Sequence, residues 1–583
     1  MATRLPSVDV VLVGFGWTAS IIAQELTDAG LQVLALERGA YRDTVPDFSM
    51  AHVQDELRYT IRNQNIEAPE RETLTFRNSR DQTALPMRRI GSFRPAAGVG
   101  GAGVHWNGQC WRFLPADFLL HDYVVERHGN GFVPEHMQLQ NWGVTYDDLE
   151  PSYDKFEYLC GVSGQAGNVG GKILAGGNPF EGVRARGYPL PPLERSASTL
   201  LFDAAARDVG FDPFPCPAAN TSEAYLNPLG VQMGKCTYCG FCEWFGCANY
   251  SKASPQTTIL PVLLRKSNFS FRTHCNVTRV NTSGKRATGV TYVDAAGKEY
   301  EQPAEMVVLC AFAQHNVHLL LLSGIGKPYD PQTQTGVVGR NYAYQITSSV
   351  NVFQDKLLNP FMGAGALGQG VDNFNTFNVP EGTDFIGGGY IALWNTGGRP
   401  ILQHSLPDDA PKWGAGWKKA MHENYLTACS IATHGSVMSY RQNYLDLDPQ
   451  WRDAHGNPLL RLTFDFMPNE HRMSNYLTDK AALIAKAMHP KSIKVNRREG
   501  HYKIVPYQTT HNTGGAAMGE DPRTSFVNRY LQAWDMSNLW VMGSSVFPQN
   551  PGYNPTGTVG ALTYWAAEAM KRYVKNPAPM VTV

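Results

Sequence analysis

Residues 8–19 read VDVVLVGFGWTA, and this stretch decides the fold. Val8 to Val13 is an apolar run interrupted only by Asp9, Gly14-Phe15-Gly16 is a glycine turn, and helical spacing follows through Ile22, Leu26 and Ala29 to a stop at Gly30. A second apolar run, Leu31 to Leu36, ends on Glu37. Strand, glycine turn, helix, strand and acid in this order predict a dinucleotide-binding βαβ unit. Gly14 permits the tight turn, Gly16 lets a pyrophosphate approach the backbone at the helix N-terminus, and Ala19 occupies the third position, where helix meets sheet. Glu37 stands 23 residues past Gly14, where an acceptor meets the adenosine ribose hydroxyls. This pattern alone leaves NAD and FAD both open.

The chain around this unit has 583 residues, 43% hydrophobic and 17% charged. That is room for two or more domains with sizeable cores, and it excludes wholesale disorder. Fifty-one Lys and Arg balance 51 Asp and Glu. With no basic cluster interleaved with aromatics, nucleic-acid binding has no electrostatic footprint. The longest apolar candidate, Val317 to Ile325, is broken by Ser323-Gly324, well short of the ~18 residues that cross a bilayer. Arg4 alone precedes the first strand, so we expect no export signal of the chain's own. Fifty-six Gly and 37 Pro point to many turns, and to loops that shape the site.

A second glycine run, GVGGAGVHWNGQCWRF at residues 98–113, cannot be a regular element, because each glycine costs about 1 kcal/mol there. Its backbone passes close to something flat or anionic. Here the chain resembles the glucose-methanol-choline (GMC) oxidoreductases, whose flavin loop is a run of this type. Further stretches are similar to the family in the family's order: Trp142 to Leu149, Leu319 to Gly326, Val338-Gly339-Arg340-Asn341, and the C-terminal block from His511 through Val546-Phe547-Pro548 to Asn554-Pro555-Thr556. The resemblance implies FAD as cofactor. It also implies an α/β fold: a Rossmann-like FAD-binding domain of GMC type and a second, substrate domain built on an antiparallel sheet. It places Gly14, Gly16, Ala19, Glu37, Gly100, Gly101, His105, Asn107, Val277, Gly543, Ser544 and Thr556 at the cofactor.

Two departures stand out. Where the family has the acid of a D-x-S-V-F-P stretch, this chain has Gly543-Ser544-Ser545. And Gly100 to Trp106 is similar to the run of pyranose oxidases in which the histidine is bonded to the flavin, so His105 is a candidate covalent attachment point; the alternative is a histidine that packs beside the flavin ring.

Oxidising an alcohol with flavin needs a base for the hydroxyl proton, and a neutral imidazole is well matched, worth roughly 10²- to 10⁴-fold. Of sixteen histidines only His511 falls in the family's catalytic motif, and the partner position falls on Asn554. An amide there can hold the substrate hydroxyl or developing alkoxide.

Six cysteines are scattered and read as ordinary buried thiols: Cys110, Cys160, Cys216, Cys275, Cys310 and Cys429. The other four, Cys236-x2-Cys239-x2-Cys242-x4-Cys247, fall within twelve residues. Successive close thiolates converge on an inorganic centre in ferredoxins, although the last gap is one residue longer here and Ala248 stands where ferredoxins have Pro. We expect an iron-sulfur cluster, and the longer gap leaves room for a [3Fe-4S] cluster on three of the four thiolates with the fourth free, [4Fe-4S] being the other nuclearity; structural zinc and local disulfides are the alternatives.

Among GMC proteins, flavin plus such a loop resembles the bacterial cytochrome c-linked sugar and sugar-acid dehydrogenases, the gluconate 2-dehydrogenase branch most of all. That resemblance implies oxidation of a sugar acid or polyol, with D-gluconate to 2-keto-D-gluconate the best guess and 2-ketogluconate, sorbitol, glucose or fructose the alternatives. A peroxide-forming oxidase with a structural metal is a further alternative. It also implies a small twin-arginine-bearing partner subunit, a multihaem cytochrome c subunit, and a place on the periplasmic face of the inner membrane, reached folded with a partner. A substrate carboxylate would want a cation, and Arg441, Arg461 and Arg472 are the candidates.

The motifs put the FAD-binding domain at residues 1–45, 85–160, 230–345 and 505–583, with the cysteine loop at 234–250. Residues 165–230 and 346–504 form the substrate domain. Strands are predicted at Arg272 to Val280, Thr288 to Val293 and Met306 to Leu309, with a turn at Asp294 to Lys298. Thr427 to Tyr440 and Leu459 to Met467 alternate as strands of the sheet roofing the flavin. A helix from about Leu562 to Val574 closes the fold, and the tail after Pro577 is expected to be exposed.

Overall fold

The computed structural model describes residues 2–48, 65–66, 73–93, 95–360, 362–395 and 406–581. The opening unit folds as its pattern predicts. Strand β1 (Val8–Val13) leads through the glycine turn into α1 (Trp17–Asp28), and β2 (Val33–Leu36) returns parallel to β1 with Val33 opposite Val10. Both strands are near-continuous apolar runs because the sheet is covered on both faces. Helix α2 (Tyr146–Cys160) is fixed at its start by a reciprocal cap between Thr145 and Asp148. Strand β3 (Phe269–Arg272) extends the parallel sheet beside β2. Strands β4 (Asn276–Ser283), β5 (Arg286–Val293) and β6 (Glu299–Leu309) form an antiparallel meander. The eleven-residue β6 serves two partners: its first half closes the meander, and its second half runs parallel to β1 on one side and to Met536–Val541 on the other. Helix α3 (Ala313–Leu322) follows it directly.

A second, six-stranded sheet consists of β7 (Ile346–Phe353), β8 (Gly368–Val371), β9 (Gly389–Trp394), β10 (Ala428–Gly435), β11 (Ser492–Asn496) and the short Phe214–Pro215, all antiparallel. Helix α4 (Pro468–Ala487) covers one face, burying Met473, Leu477, Ala481 and Ile484 at helical spacing. From the other face Trp394, Ala432 and His434 look into the central cavity. Helix α5 (Thr556–Lys575) packs on α1 and α2, and Gly560 is needed there because a Cβ would stand 2.4 Å from the Phe156 ring.

Three expectations are corrected. The segment predicted at Leu459 to Met467 is a strand only over Pro458–Thr463, and it belongs to a separate four-stranded sheet with Tyr444–Arg452, Thr75–Arg77 and Leu85–Pro86. Alternation predicts a strand but not its partner, and the tight Asp453–Asn457 turn, closed by Asp453 N–H on Asn457 O, pairs it locally. The strand predicted at Arg272 to Val280 is two strands, parted at His274, whose φ of 56° breaks the run. The C-terminal tail is not free: Met580 N–H donates to Gln532 Oε1 at 2.8 Å. Among the described residues no helix is long and apolar enough to cross a membrane.

Candidate active site

A cavity of about 760 Å³ runs between the two sheets, from the first glycine turn at one end to His511 at the other. At the turn, Gly14 has a φ of +91° and a Cβ there would lie 2.7 Å from Cys310 O. The two glycine runs meet face to face: Gly100 N–H donates to Phe15 O at 2.6 Å, and a Cβ on Gly101 would come within 2.9 Å of Gly16 Cα. The N-termini of α1, α3 and α5 all open on this cavity through Gly16, Phe312 and Pro555, and none has a side-chain cap. Three uncapped helix starts leave their N–H groups and positive dipole ends for an anionic ligand. A long cleft with a bare glycine turn and three such ends fits a flavin dinucleotide.

Of the predicted cofactor residues, Gly14, Gly16, Glu37, Gly101, His105, Asn107, Val277, Gly543, Ser544 and Thr556 line the cavity. Ala19 and Gly100 do not line it. Ala19 is fully buried in α1, and Gly100 is excluded from the wall because it packs against Gln256 and Val104. Glu37 also braces the turn: its carboxylate accepts from Phe15 N–H at 2.9 Å and Gly39 N–H at 2.8 Å. Sequence reading missed Arg38, whose guanidinium meets His315 Nε2 at 2.8 Å, and His318, pulled down to about 4 by burial, both lining the same end with Asp453. The His315/His318 spacing on α3 was the available signal.

At the other end His511 follows Thr509, whose hydroxyl accepts from His511 N–H, and precedes the short ladder pairing Asn512–Thr513 with Ala343–Tyr344. The ring is held at both nitrogens. Nδ1 lies 2.6 Å from Gln345 Oε1, and Nε2 lies 3.3 Å from Asn554 Nδ2. Gln345 Nε2 donates to Gly552 O, and Tyr390 OH donates to Asn554 Oδ1 at 2.5 Å, so both amides have their oxygens and nitrogens assigned by partners. His511 therefore carries its proton on Nδ1, and its Nε2 lone pair accepts from Asn554 Nδ2 at the cavity wall. Burial, with His434 nearby, pulls it down to about 3, so it is neutral at ordinary pH. The predicted pair of His511 and Asn554 is brought together; Gln345, Tyr390 and His434 were missed, since none lies in a motif.

The three arginines proposed for a substrate carboxylate sit elsewhere. Arg461 pairs with Asp446, Arg472 with Asp384, and Arg441 donates to the Pro331 and Gln332 carbonyls. Among the described residues the cations lining the cavity are Arg38 and Arg452, both at the end with His315 and Asp453.

The cysteine loop packs directly on the second glycine run. Trp244 N–H donates to His105 O at 2.6 Å, and a Cβ on Gly365 would be 2.6 Å from both Asn107 O and Cys242 Cβ. Lys252, fully buried, donates from Nζ to the carbonyls of Trp106, Cys242 and Phe245 at 2.6, 2.6 and 2.8 Å. All four thiols are free and close enough that charge on Cys247 raises the other three. Burial pushes Cys236 up to about 11 and Cys242 up to about 12, the latter opposed by Lys252. N–H donors already face the sulfurs: Tyr238 N on Cys236 at 3.5 Å and Lys252 N on Cys247 at 3.3 Å. Among the described residues no three His, Cys, Asp or Glu side chains are set around a point to hold a single metal ion. The loop thus gathers four thiols with N–H groups and a buried cation around the sulfurs, donor chemistry that thiolate-bound inorganic centres use.

Two family signatures, both described as GMC oxidoreductase, match residues 218–347 and 439–563. The chain is 47% identical to the gluconate 2-dehydrogenase flavoprotein of Pantoea cypripedii, over 100% of this chain and 96% of that one. It is 25% identical to the fructose dehydrogenase large subunit of Gluconobacter japonicus, over 99% of this chain and 100% of that one. A 2-methyl-1,2-propanediol dehydrogenase of Mycolicibacterium austroafricanum is also 25% identical, over 98% of this chain and 96% of that one. The fold is similar to that of pyridoxine 4-oxidase from Mesorbium loti, with a TM-score of 0.59 at 16% identity, covering 97% of this chain and 99% of that one.

Proposed function

The chain belongs to the GMC oxidoreductase family and is an FAD-dependent oxidoreductase acting on CH–OH groups, and from that premise we propose that it oxidises D-gluconate at C2 as the catalytic subunit of a multi-subunit dehydrogenase. The observation that carries this reading is the His511–Asn554 pair at one end of a cavity whose other end is the dinucleotide turn. Full-length identity of 47% to a gluconate 2-dehydrogenase flavoprotein supports the substrate.

Asn554 Nδ2 donates to His511 Nε2 at 3.3 Å, and a substrate hydroxyl takes the place of that contact, bonding to both side chains. Its proton points to the Nε2 lone pair and its oxygen accepts from the Asn554 amide, which then stabilises the developing alkoxide. Tyr390 keeps that amide turned the right way through Oδ1. Bound FAD would supply the two-electron acceptor for the hydride leaving the carbon. Gly14, Gly16, Glu37, Gly101, Asn107, Val277, Gly543, Ser544 and Thr556 would hold it, and His105, buried on the cavity wall, would be the point of covalent attachment.

Cys236, Cys239, Cys242 and Cys247 would hold an iron-sulfur cluster, which would pass electrons on one at a time. The loop's contact with His105 and Trp106 on one side, and the half-buried Cys239 and Cys247 on the other, favour this over a purely structural centre. The electrons leave to a cytochrome c subunit, and a small twin-arginine-bearing subunit carries the folded assembly to the periplasmic face of the membrane; the name "large subunit" of the fructose-oxidising relative supports a multi-subunit assembly.

The test is dye-linked turnover of the purified protein on gluconate, 2-ketogluconate, glucose, fructose and sorbitol, with iron analysis and acid precipitation on the same sample. We expect a clear preference for gluconate, iron in the protein, and flavin that stays with the precipitate. A neutral sugar as best substrate overturns the gluconate assignment, zinc in place of iron overturns the cluster, and flavin in the supernatant overturns the His105 tether.

A further inference from the structure

A second imidazole shares the catalytic network. His434 lies on β10 directly opposite Tyr390 on β9, and the two rings stack with centroids 4.7 Å apart and planes 4° apart. It is 9% exposed, and that exposure faces the cavity. Its Nδ1 is 3.2 Å from Gln345 Oε1, the same oxygen that lies 2.6 Å from Nδ1 of His511. The Gln345 amide is oriented by its donation to Gly552 O, so that its oxygen faces both rings. One carbonyl oxygen has two lone pairs and accepts from both. Each ring therefore carries its proton on Nδ1 and keeps a lone pair on Nε2. His511 Nε2 faces Asn554; for His434 Nε2 no protein partner stands among the described residues.

We propose that His434 is a second substrate-binding residue and Gln345 the positioning residue that sets both imidazoles. His511 takes the hydroxyl on the carbon being oxidised, and His434 Nε2 accepts from the hydroxyl on the adjacent carbon, so the site selects vicinal diols. This rests on the proposed alcohol oxidation at His511. The ring centroids are 6.5 Å apart, close enough for one ligand with hydroxyls on adjacent carbons to meet both rings, each through a hydrogen bond of about 2.8 Å. The chemistry of Nε2 also chooses between neighbours. A hydroxyl can donate to a bare lone pair, whereas an ionised carboxylate has only lone pairs of its own. On a 2-hydroxy acid the arm therefore takes the hydroxyl on the side of the reacting carbon away from the carboxylate. The described cations of the cavity stand at its far end, consistent with an anchor made of neutral groups here. Tyr507 and Glu243 also line the cavity and are hydrogen-bonded to each other at 2.5 Å.

The test compares kcat/KM of the holoenzyme for D-gluconate and 3-deoxy-D-gluconate in the wild type and in His434→Phe, a variant that keeps an aromatic ring against Tyr390. The wild type should prefer gluconate by at least ~10²-fold, as sites built to hydrogen-bond a substrate hydroxyl do. In His434→Phe the preference should fall below ~10-fold, through loss of gluconate turnover and not gain on the deoxy acid. A wild type that treats the two acids alike overturns the proposal without any variant, and so does a variant with full FAD content and an unchanged ratio. If gluconate is not a substrate, the same comparison on the best polyol and its deoxy counterpart tests the arm independently of the substrate assignment. For Gln345, the near-isosteric Gln345→Glu puts a carboxylate against both Nδ1–H groups and raises the proton affinity of His511, moving the acid limb of kcat/KM upward by a pH unit or more. An acid limb that stays in place with FAD retained overturns the positioning role.

Discussion

His511 is held by one amide oxygen and faced by one amide nitrogen, and these two contacts decide what the ring can do. The Gln345 oxygen fixes the proton on Nδ1, while burial keeps the ring neutral by pulling it down to about 3. The proposed base is therefore in its working form across the physiological range. kcat/KM should stay flat as pH falls from about 7 to about 5, without the inflection near ~6.5 of an ordinary histidine. An inflection there that vanishes in His511→Asn would contradict this. Which residues could act was legible in the sequence, because His511 and Asn554 lie in a family motif. How they are aimed was not. Gln345, Tyr390 and His434 come from strand ends and strands more than seventy residues from either, and only pairing of the second sheet brings Tyr390 opposite His434. The same limit applies to the arginines: their place in the predicted substrate domain offered Arg441, Arg461 and Arg472, and local acids and carbonyls claimed all three.

At the scale of elements, the glycine turn between β1 and α1 and the two loops around His105 and Cys242 carry the site. Gly14→Ala would place a side chain 2.7 Å from Cys310 O at a φ of +91°. It should cost about 1–3 kcal/mol of stability and lower FAD content, read by thermal unfolding and by the flavin-to-protein absorbance ratio; an unchanged ratio would contradict the turn's role. Lys252 ties the flavin loop to the cysteine loop through three carbonyls. Lys252→Met leaves those acceptors buried and unpaired and should cost about 2–4 kcal/mol, with loss of iron from the purified protein. Iron and stability equal to wild type would show that the ammonium does not hold the loops together. The βαβ unit was readable because local periodicity and the turn agree. The sheet containing Pro458–Thr463 was not, because a strand's alternation says nothing about which edge it joins.

Over the whole molecule, the two sheets enclose the cavity and bury several ionisable rings. His434 and His511 are each pulled down to about 3, and His318 to about 4, by burial first. The unfolded chain binds a proton at each near ~6.5 while the folded chain does not, so stability is full above that pH and falls as pH drops toward 4. His434→Phe should flatten that fall by up to about 1.4 kcal/mol per pH unit, measured as the pH dependence of the urea midpoint; an unaltered slope would mean His434 titrates normally. The most direct test of the central claim is anaerobic mixing of the purified protein with D-gluconate while watching the visible flavin band. The account predicts rapid bleaching in the wild type and bleaching slowed by ~10² or more in His511→Ala with FAD retained. Failure of the wild-type flavin to bleach with gluconate or any polyol, or equal bleaching in the variant, would contradict it.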